Sequence, residues 1–124
     1  MRRSAKLSVI TSVTAATLAA GIALAPSASA DPFRCGSAGS DPRAWCAYVK
    51  DSPNGLTIRT GPGTGYSRAG TLNNGQRIEI DCWGYGSSVG GYNIWAKLYS
   101  PSGNRWVSDL YLTTGRIQNF LSQC

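Results

Sequence analysis

Hydrophobic and polar side chains alternate with a period of two along this chain in short bursts, each stopped by a cluster of Gly, Pro, Asn or Ser. In Leu56-Thr57-Ile58-Arg59 the aliphatic pair shares one face of an extended backbone and the polar pair takes the other. The burst ends at Gly61-Pro62-Gly63. Proline lacks a backbone donor and glycine tolerates positive φ, so the strand is expected to give way to a turn-rich loop closing on Tyr66. Residues 76–82 alternate most clearly: Ile78, Ile80 and Cys82 fall on one face, Arg77, Glu79 and Asp81 on the other, which predicts an inward-pointing Cys82. Residues 47–49, 69–72, 93–99 and 105–107 read as further short strands. Asp51-Ser52-Pro53-Asn54-Gly55 and Pro101-Ser102-Gly103-Asn104 read as turns, and Asn73-Asn74-Gly75 as a tight hairpin turn. The glycine- and serine-rich stretch 83–92 reads as a broad loop, residues 109–112 as a single 3₁₀ turn, and 117–121 as a weak helical turn. Five to six short strands separated by frequent turns predict an all-β domain, a small antiparallel barrel or sandwich.

The first thirty residues stand outside this pattern. Arg2, Arg3 and Lys6 precede an apolar run over residues 7–25, and Ala28-Ser29-Ala30 fits a signal-peptidase site, so residues 1–30 read as a secretory signal peptide with Asp31 starting the mature chain. An uncleaved anchor is the alternative, because the run approaches the roughly 20 residues that span a bilayer. Serines and threonines dilute the run, and the small-residue tail favours cleavage.

Export changes the charge balance. The whole chain carries 12 basic and 6 acidic side chains, and three of the basic ones leave with the signal. The remaining mild excess is scattered singly from Arg34 to Arg116, with no run suited to a phosphate backbone, which argues against nucleic acid as a partner. The four cysteines, Cys35, Cys46, Cys82 and Cys124, read as two disulfides in an exported chain of this size. Three pairings are open; a local Cys35–Cys46 bridge would leave Cys82–Cys124 to fasten the last residue back onto a strand. A metal site is disfavoured, since the chain has no C-x-x-C spacing and no histidine.

Three pieces in order, L-T-I-R-T-G-P-G-T-G-Y at 56–66, A-G-T-L-N-N-G-Q-R-I-E-I at 69–80 and R-W-V-S-D-L-Y-L at 105–112, resemble the bacterial SH3-like domain, SH3b. Arg105-Trp106 stands where that family usually shows Gly-Trp. The similarity extends to small secreted single-domain members, which favours pairing Cys82 with Cys124. It implies an SH3-like β-barrel over residues 48–114, preceded by an extension over 31–47 with its own disulfide and followed by a tail over 115–124 tied down by the second. It also implies binding rather than catalysis: the family commonly attaches to peptidoglycan and often delivers a hydrolase. No hydrolase accompanies these strands, so the expectation is a free-standing, monomeric module, secreted and in part associated with the cell wall.

Catalytic candidates are few. Without histidine no Ser-His or Cys-His pair exists, and the alternation of Arg77, Glu79 and Asp81 is what a solvated strand face looks like, so no catalytic residue and no cofactor is assigned. Aromatic side chains are the better lead, because flat rings with a polar edge suit sugar faces and peptide backbones. The candidate ligand-binding set is Arg59, Tyr66, Trp83, Tyr92, Trp95 and Tyr111, around a groove between the 61–66 loop and the 83–95 stretch. Arg59 would pair with a ligand carboxylate, or internally with Asp51 or Asp109. Trp106 is expected in the core, as the family tryptophan is. The partner is then cell-wall peptidoglycan, or alternatively a secreted protein held or inhibited through the same aromatic surface, with no stable membrane insertion after signal cleavage.

Overall fold

Hydrogen bonding joins seven strands into one antiparallel sheet in the computed structural model, which describes residues 31–124. In chain order they are β1 (Phe33–Arg34), β2 (Trp45–Tyr48), β3 (Leu56–Arg59), β4 (Arg68–Leu72), β5 (Arg77–Val89), β6 (Tyr92–Leu98) and β7 (Trp106–Ser108). Across the sheet they run β1-β2-β5-β6-β7-β3-β4. The all-β antiparallel class and the two disulfides are as expected, but no ladder joins β1 to β4, so the sheet is not closed into a barrel. The strand beyond the expected six is β1, which the disulfide Cys35–Cys46 holds against β2 at a Cα separation of 5.2 Å.

The stretch 83–92 is not a loop. Its first half continues β5, and Val89 pairs with Tyr92 across Gly90-Gly91, both at positive φ, the two-residue turn whose twist matches a hairpin. Composition misled because glycine weakens a strand without forbidding one where a neighbour pairs with it. The turn at 73–75 is not a hairpin either. Gln76 N–H donates to Asn73 carbonyl with Gly75 at φ 86°, but β4 pairs with β3 while β5 pairs with β2, so the turn is a corner between two parts of the sheet.

A bulge reverses the expected polarity of Cys82. Ile80 pairs with Leu98 and Cys82 with Lys97, leaving Asp81 as the extra residue, and the alternation slips by one. Trp83 therefore continues the buried face of Ile78 and Ile80, while Cys82 stays partly exposed near the point where Cys124 arrives. The core gathers on one side of the sheet, with Ala47, Ala96, Val107 and Ile117 fully buried among Leu56, Ile78, Ile80, Ile94, Leu98 and Leu112. Each of the larger side chains contributes about 1.5–3 kcal/mol by leaving water.

Both ends of the described chain are tied down, the N-terminal one on a small cluster of its own around Cys35, Ala44 and Cys46. Phe33 stacks on Tyr48 at 5.3 Å, and β2 runs through the expected boundary between extension and domain. At the other end Ile117 and Leu121 enter the core, Phe120 meets Trp45 edge-on at 5.5 Å, and Cys124 N–H donates to Trp83 carbonyl at 2.8 Å. The tail takes up the side of β5 beyond the end of its pairing with β2. The expected 3₁₀ turn is present at Asp109–Tyr111, with Ser108 Oγ accepting from Leu110 N–H, and a second lies at Ile117–Asn119. The expected signal peptide, residues 1–30, lies outside the described residues, among which no helix is long and apolar enough to cross a membrane.

Candidate functional site

The outer face of the sheet carries a cleft because the loop after β3 folds over it. At the end of β3 Arg59 donates from Nη1 to Tyr66 carbonyl at 2.9 Å, which draws the 61–66 loop back on itself. Neither Gly61 nor Gly63 uses positive φ; Gly61 is required because the Tyr66 ring lies against it, where a Cβ would come within 2.4 Å. The loop then docks on the far end of β5. Thr64 N–H donates to Ser87 Oγ at 2.8 Å, Ser87 N–H donates to Pro62 carbonyl at 3.3 Å, and a Cβ on Gly86 would lie 1.9 Å from that carbonyl oxygen. Trp95 lies beneath, its indole N–H donating to Ser87 carbonyl at 2.8 Å. Loop and hairpin thus touch where Pro62 and Thr64 meet Gly86 and Ser87.

An open cleft of ≈ 260 Å³ lies beside this contact, lined by Thr64 of the loop and by Val89 and Trp95 of the hairpin. Trp95, only 2% exposed, and Ser108 line its inner wall, Arg59 and Thr64 one end, and Tyr111 and the 52–57 turn the opposite side. The turn is rigid. Ser52 is buried, its Oγ donates to Gly55 carbonyl at 2.6 Å, and Asn74 clamps its backbone with two hydrogen bonds, from Ser52 N–H to Oδ1 at 2.9 Å and from Nδ2 to Ser52 carbonyl at 2.8 Å. Among the described residues no carboxylate pairs with Arg59: Asp51 faces Lys50 at 3.7 Å, and Asp109 is engaged elsewhere. The guanidinium keeps donors for a ligand acceptor at the cleft end.

Of the six expected binding residues the fold thus brings together Arg59, Trp95 and Tyr111. Trp83 is elsewhere, 8% exposed, its indole N–H donating to Leu121 carbonyl at 3.0 Å beneath the C-terminal tail. Tyr66 is half exposed on the back of the loop. Tyr92 lines a separate cavity of ≈ 200 Å³ with Lys50 and Asp109, and its hydroxyl donates to Asp109 at 3.0 Å. Trp106, expected in the core, lies instead on the outer face, because its neighbour Val107 takes the buried position. The turn residues of the cleft wall were legible only as a turn; Ser-Pro-Asn-Gly tells where the chain bends, not what the bend faces.

The buried acid of the molecule is Asp109. Burial pushes its carboxyl up to about 6, against the opposing pull of hydrogen bonds from Thr114 and Tyr92. Tyr92 is in turn pushed up to about 12, chiefly by burial and then by the Asp109 charge. The strand carboxylates have structural partners: Glu79 accepts from Ser40 N–H at 2.8 Å and from its hydroxyl, and Asp81 faces Lys97 at 4.0 Å. Burial raises the Asp81 carboxyl, with Lys97 opposing. No group of three or more potential ligating side chains stands together to hold a metal ion among the described residues.

Residues 54–113 match the family model of the bacterial SH3 domain. This part of the chain is a bacterial SH3-like domain. The matched segment begins in the 52–57 turn and ends just after the 3₁₀ turn, so it contains Arg59, Trp95 and Tyr111 and excludes both β1 and the C-terminal tail. No curated protein matches the chain. The bacterial SH3 domain is typically a binding module, often for the cell wall, and the two disulfides are compatible with an extracellular location.

Proposed function

We propose that the chain is a secreted, non-catalytic module that binds cell-wall peptidoglycan in the cleft beneath the 61–66 loop. The observation that carries this reading is the convergence of Arg59, Tyr111 and the rigid 52–57 turn on one cleft of the SH3-like domain. Tyr111 offers a flat contact surface, and Arg59 supplies a cation for a peptide-stem carboxylate. Trp95 supports the cleft wall from below rather than meeting the ligand with its polar edge, since its N–H is committed to Ser87.

Retention of the oxidised protein on purified sacculi tests the reading. Arg59→Gln and Tyr111→Ala are each expected to weaken retention about tenfold, the loss of roughly 1.4 kcal/mol apiece. Retention equal to that of a reduced, unfolded control would dismiss it. Capture of a protein from culture medium, with none on sacculi, would favour the second reading, a secreted interaction or inhibitor protein; half-exposed Tyr66 and Tyr85, both away from the cleft wall, are what such a partner would meet. N-terminal sequencing of exported protein is expected to start at Asp31.

A further inference from the structure

Cross-strand register lays a row of four long side chains over the outer face. Lys97 of β6 is paired with Trp106 of β7, Trp106 with Arg59 of β3, and Arg59 with Arg68 of β4. Directly paired residues of an antiparallel ladder share a face, so the four stand in one row across three strand gaps of about 4.8 Å each. The six-membered ring of Trp106 rests over Gly84 of β5, where a Cβ would come within 3.3 Å, so the indole lies along the sheet and is partly exposed.

The charges of this row are unevenly answered. Asp81 stands 4.0 Å from Lys97, while among the described residues no carboxylate pairs with Arg59 or Arg68. Arg59 and Arg68 are paired next to a bulge in the β3–β4 ladder, two like charges side by side, an arrangement that destabilises a sheet pair. A solvated face needs no such opposition and no tryptophan between cations. An anionic ligand laid along the row relieves the repulsion, and the indole requires that ligand to present an apolar ring face as well.

We propose that the row Lys97–Trp106–Arg59–Arg68 binds an acidic polysaccharide, a glycan whose sugar rings carry carboxylates. Trp106 stacks on one sugar ring, and the guanidinium groups, planar and forked, take carboxylates on the rings beside it. A phosphodiester chain without sugars would satisfy the cations and leave the indole without a partner. The row shares only Arg59 with the cleft assigned above, so the test leaves that residue unchanged.

The experiment is a fluorescence titration of the oxidised protein with polygalacturonate, with dextran as neutral glycan and poly-L-glutamate as a polyanion lacking sugars. Polygalacturonate is expected to bind, more weakly as salt rises, and severalfold more tightly than either control. The pair Arg68→Gln/Lys97→Gln is expected to cost about five- to tenfold in affinity, and Trp106→Leu a similar factor, with retention on sacculi unchanged in both. Absence of polygalacturonate binding overturns the proposal, as does binding that the Arg68/Lys97 pair leaves intact. Equal binding of poly-L-glutamate overturns it too, since the indole would then contribute nothing. If Trp106→Leu fails to fold, the two surface charge changes still decide.

Discussion

On the inner face of the sheet Trp83 shares a cluster with Ala96 and Leu121 and gives its indole N–H to a backbone carbonyl, whereas on the outer face Trp106 lies over Gly84 between Lys97 and Arg59 and remains partly open. Both are strand tryptophans of the same sheet. Their surroundings differ because a tail of the chain covers one and nothing in the described chain covers the other so fully. Trp95 shows the intermediate case: it too faces outward, yet the docked 61–66 loop and the 52–57 turn bury it almost completely. On this sheet a tryptophan's role follows from which loop or tail reaches it, and the residue type by itself carries little of that information.

Truncating the two rings sharpens the contrast most. Trp83→Ala is expected to cost about 3–5 kcal/mol in denaturant unfolding, because it empties the core and orphans the carbonyl of Leu121. A loss below about 1 kcal/mol would show that the C-terminal tail does not depend on this ring.

Next in size comes the buried carboxyl of Asp109, at the end of the sheet. Its folded-state value is raised to about 6, above an unfolded value near 3.9, so the folded form binds the proton more tightly. The preference for the fold is full below pH ~4 and is lost as pH rises through 6, a change of up to about 3 kcal/mol. Asp109→Asn removes it. The difference in stability between the two proteins, followed by thermal unfolding from pH 4 to 7, is expected to move in favour of the variant with rising pH; a constant difference would mean that burial does not govern this group.

A smaller effect is expected where the loop meets β5. Gly86→Ala drives a methyl against Pro62 carbonyl and is expected to cost about 1–3 kcal/mol. It would also release the loop from Trp95, read as faster hydrogen exchange of the Thr64 and Ser87 amides with the core amides of β6 unchanged. Smallest of the four, Trp106→Ala is expected to cost under about 1.5 kcal/mol, since the ring is only partly withdrawn from water. A penalty as large as that of Trp83 would erase the distinction between the faces.

Much of the fold was legible locally. Leu56 and Ile58, Ile78 and Ile80, and Ile94, Ala96 and Leu98 each lie on a buried or partly buried face as their spacing predicts, because a strand's period is set by backbone geometry alone. The disulfide count followed from compartment and composition, and the pairing of Cys82 with Cys124 from family resemblance. The site was legible in part: Arg59, Trp95 and Tyr111 were named from residue type, and the fold brings those three to one cleft, with Trp83 in the core and Tyr66 and Tyr92 elsewhere.

The sequence by itself determined where most strands run, where the chain must turn, and that this is an all-β, disulfide-held chain with an SH3-like domain, since alternation and turn chemistry act over a few residues and the rest follows from cysteine content and shared ancestry. Only the tertiary structure decided that one extra residue at Asp81 turns Trp83 inward instead of Cys82, that the sheet stays open, and that the 61–66 loop docks on the end of β5 beside an open cleft. Those outcomes depend on pairing between residues far apart in the chain. A bulge, a docked loop and a returning tail each change what a side chain faces while leaving its local pattern untouched.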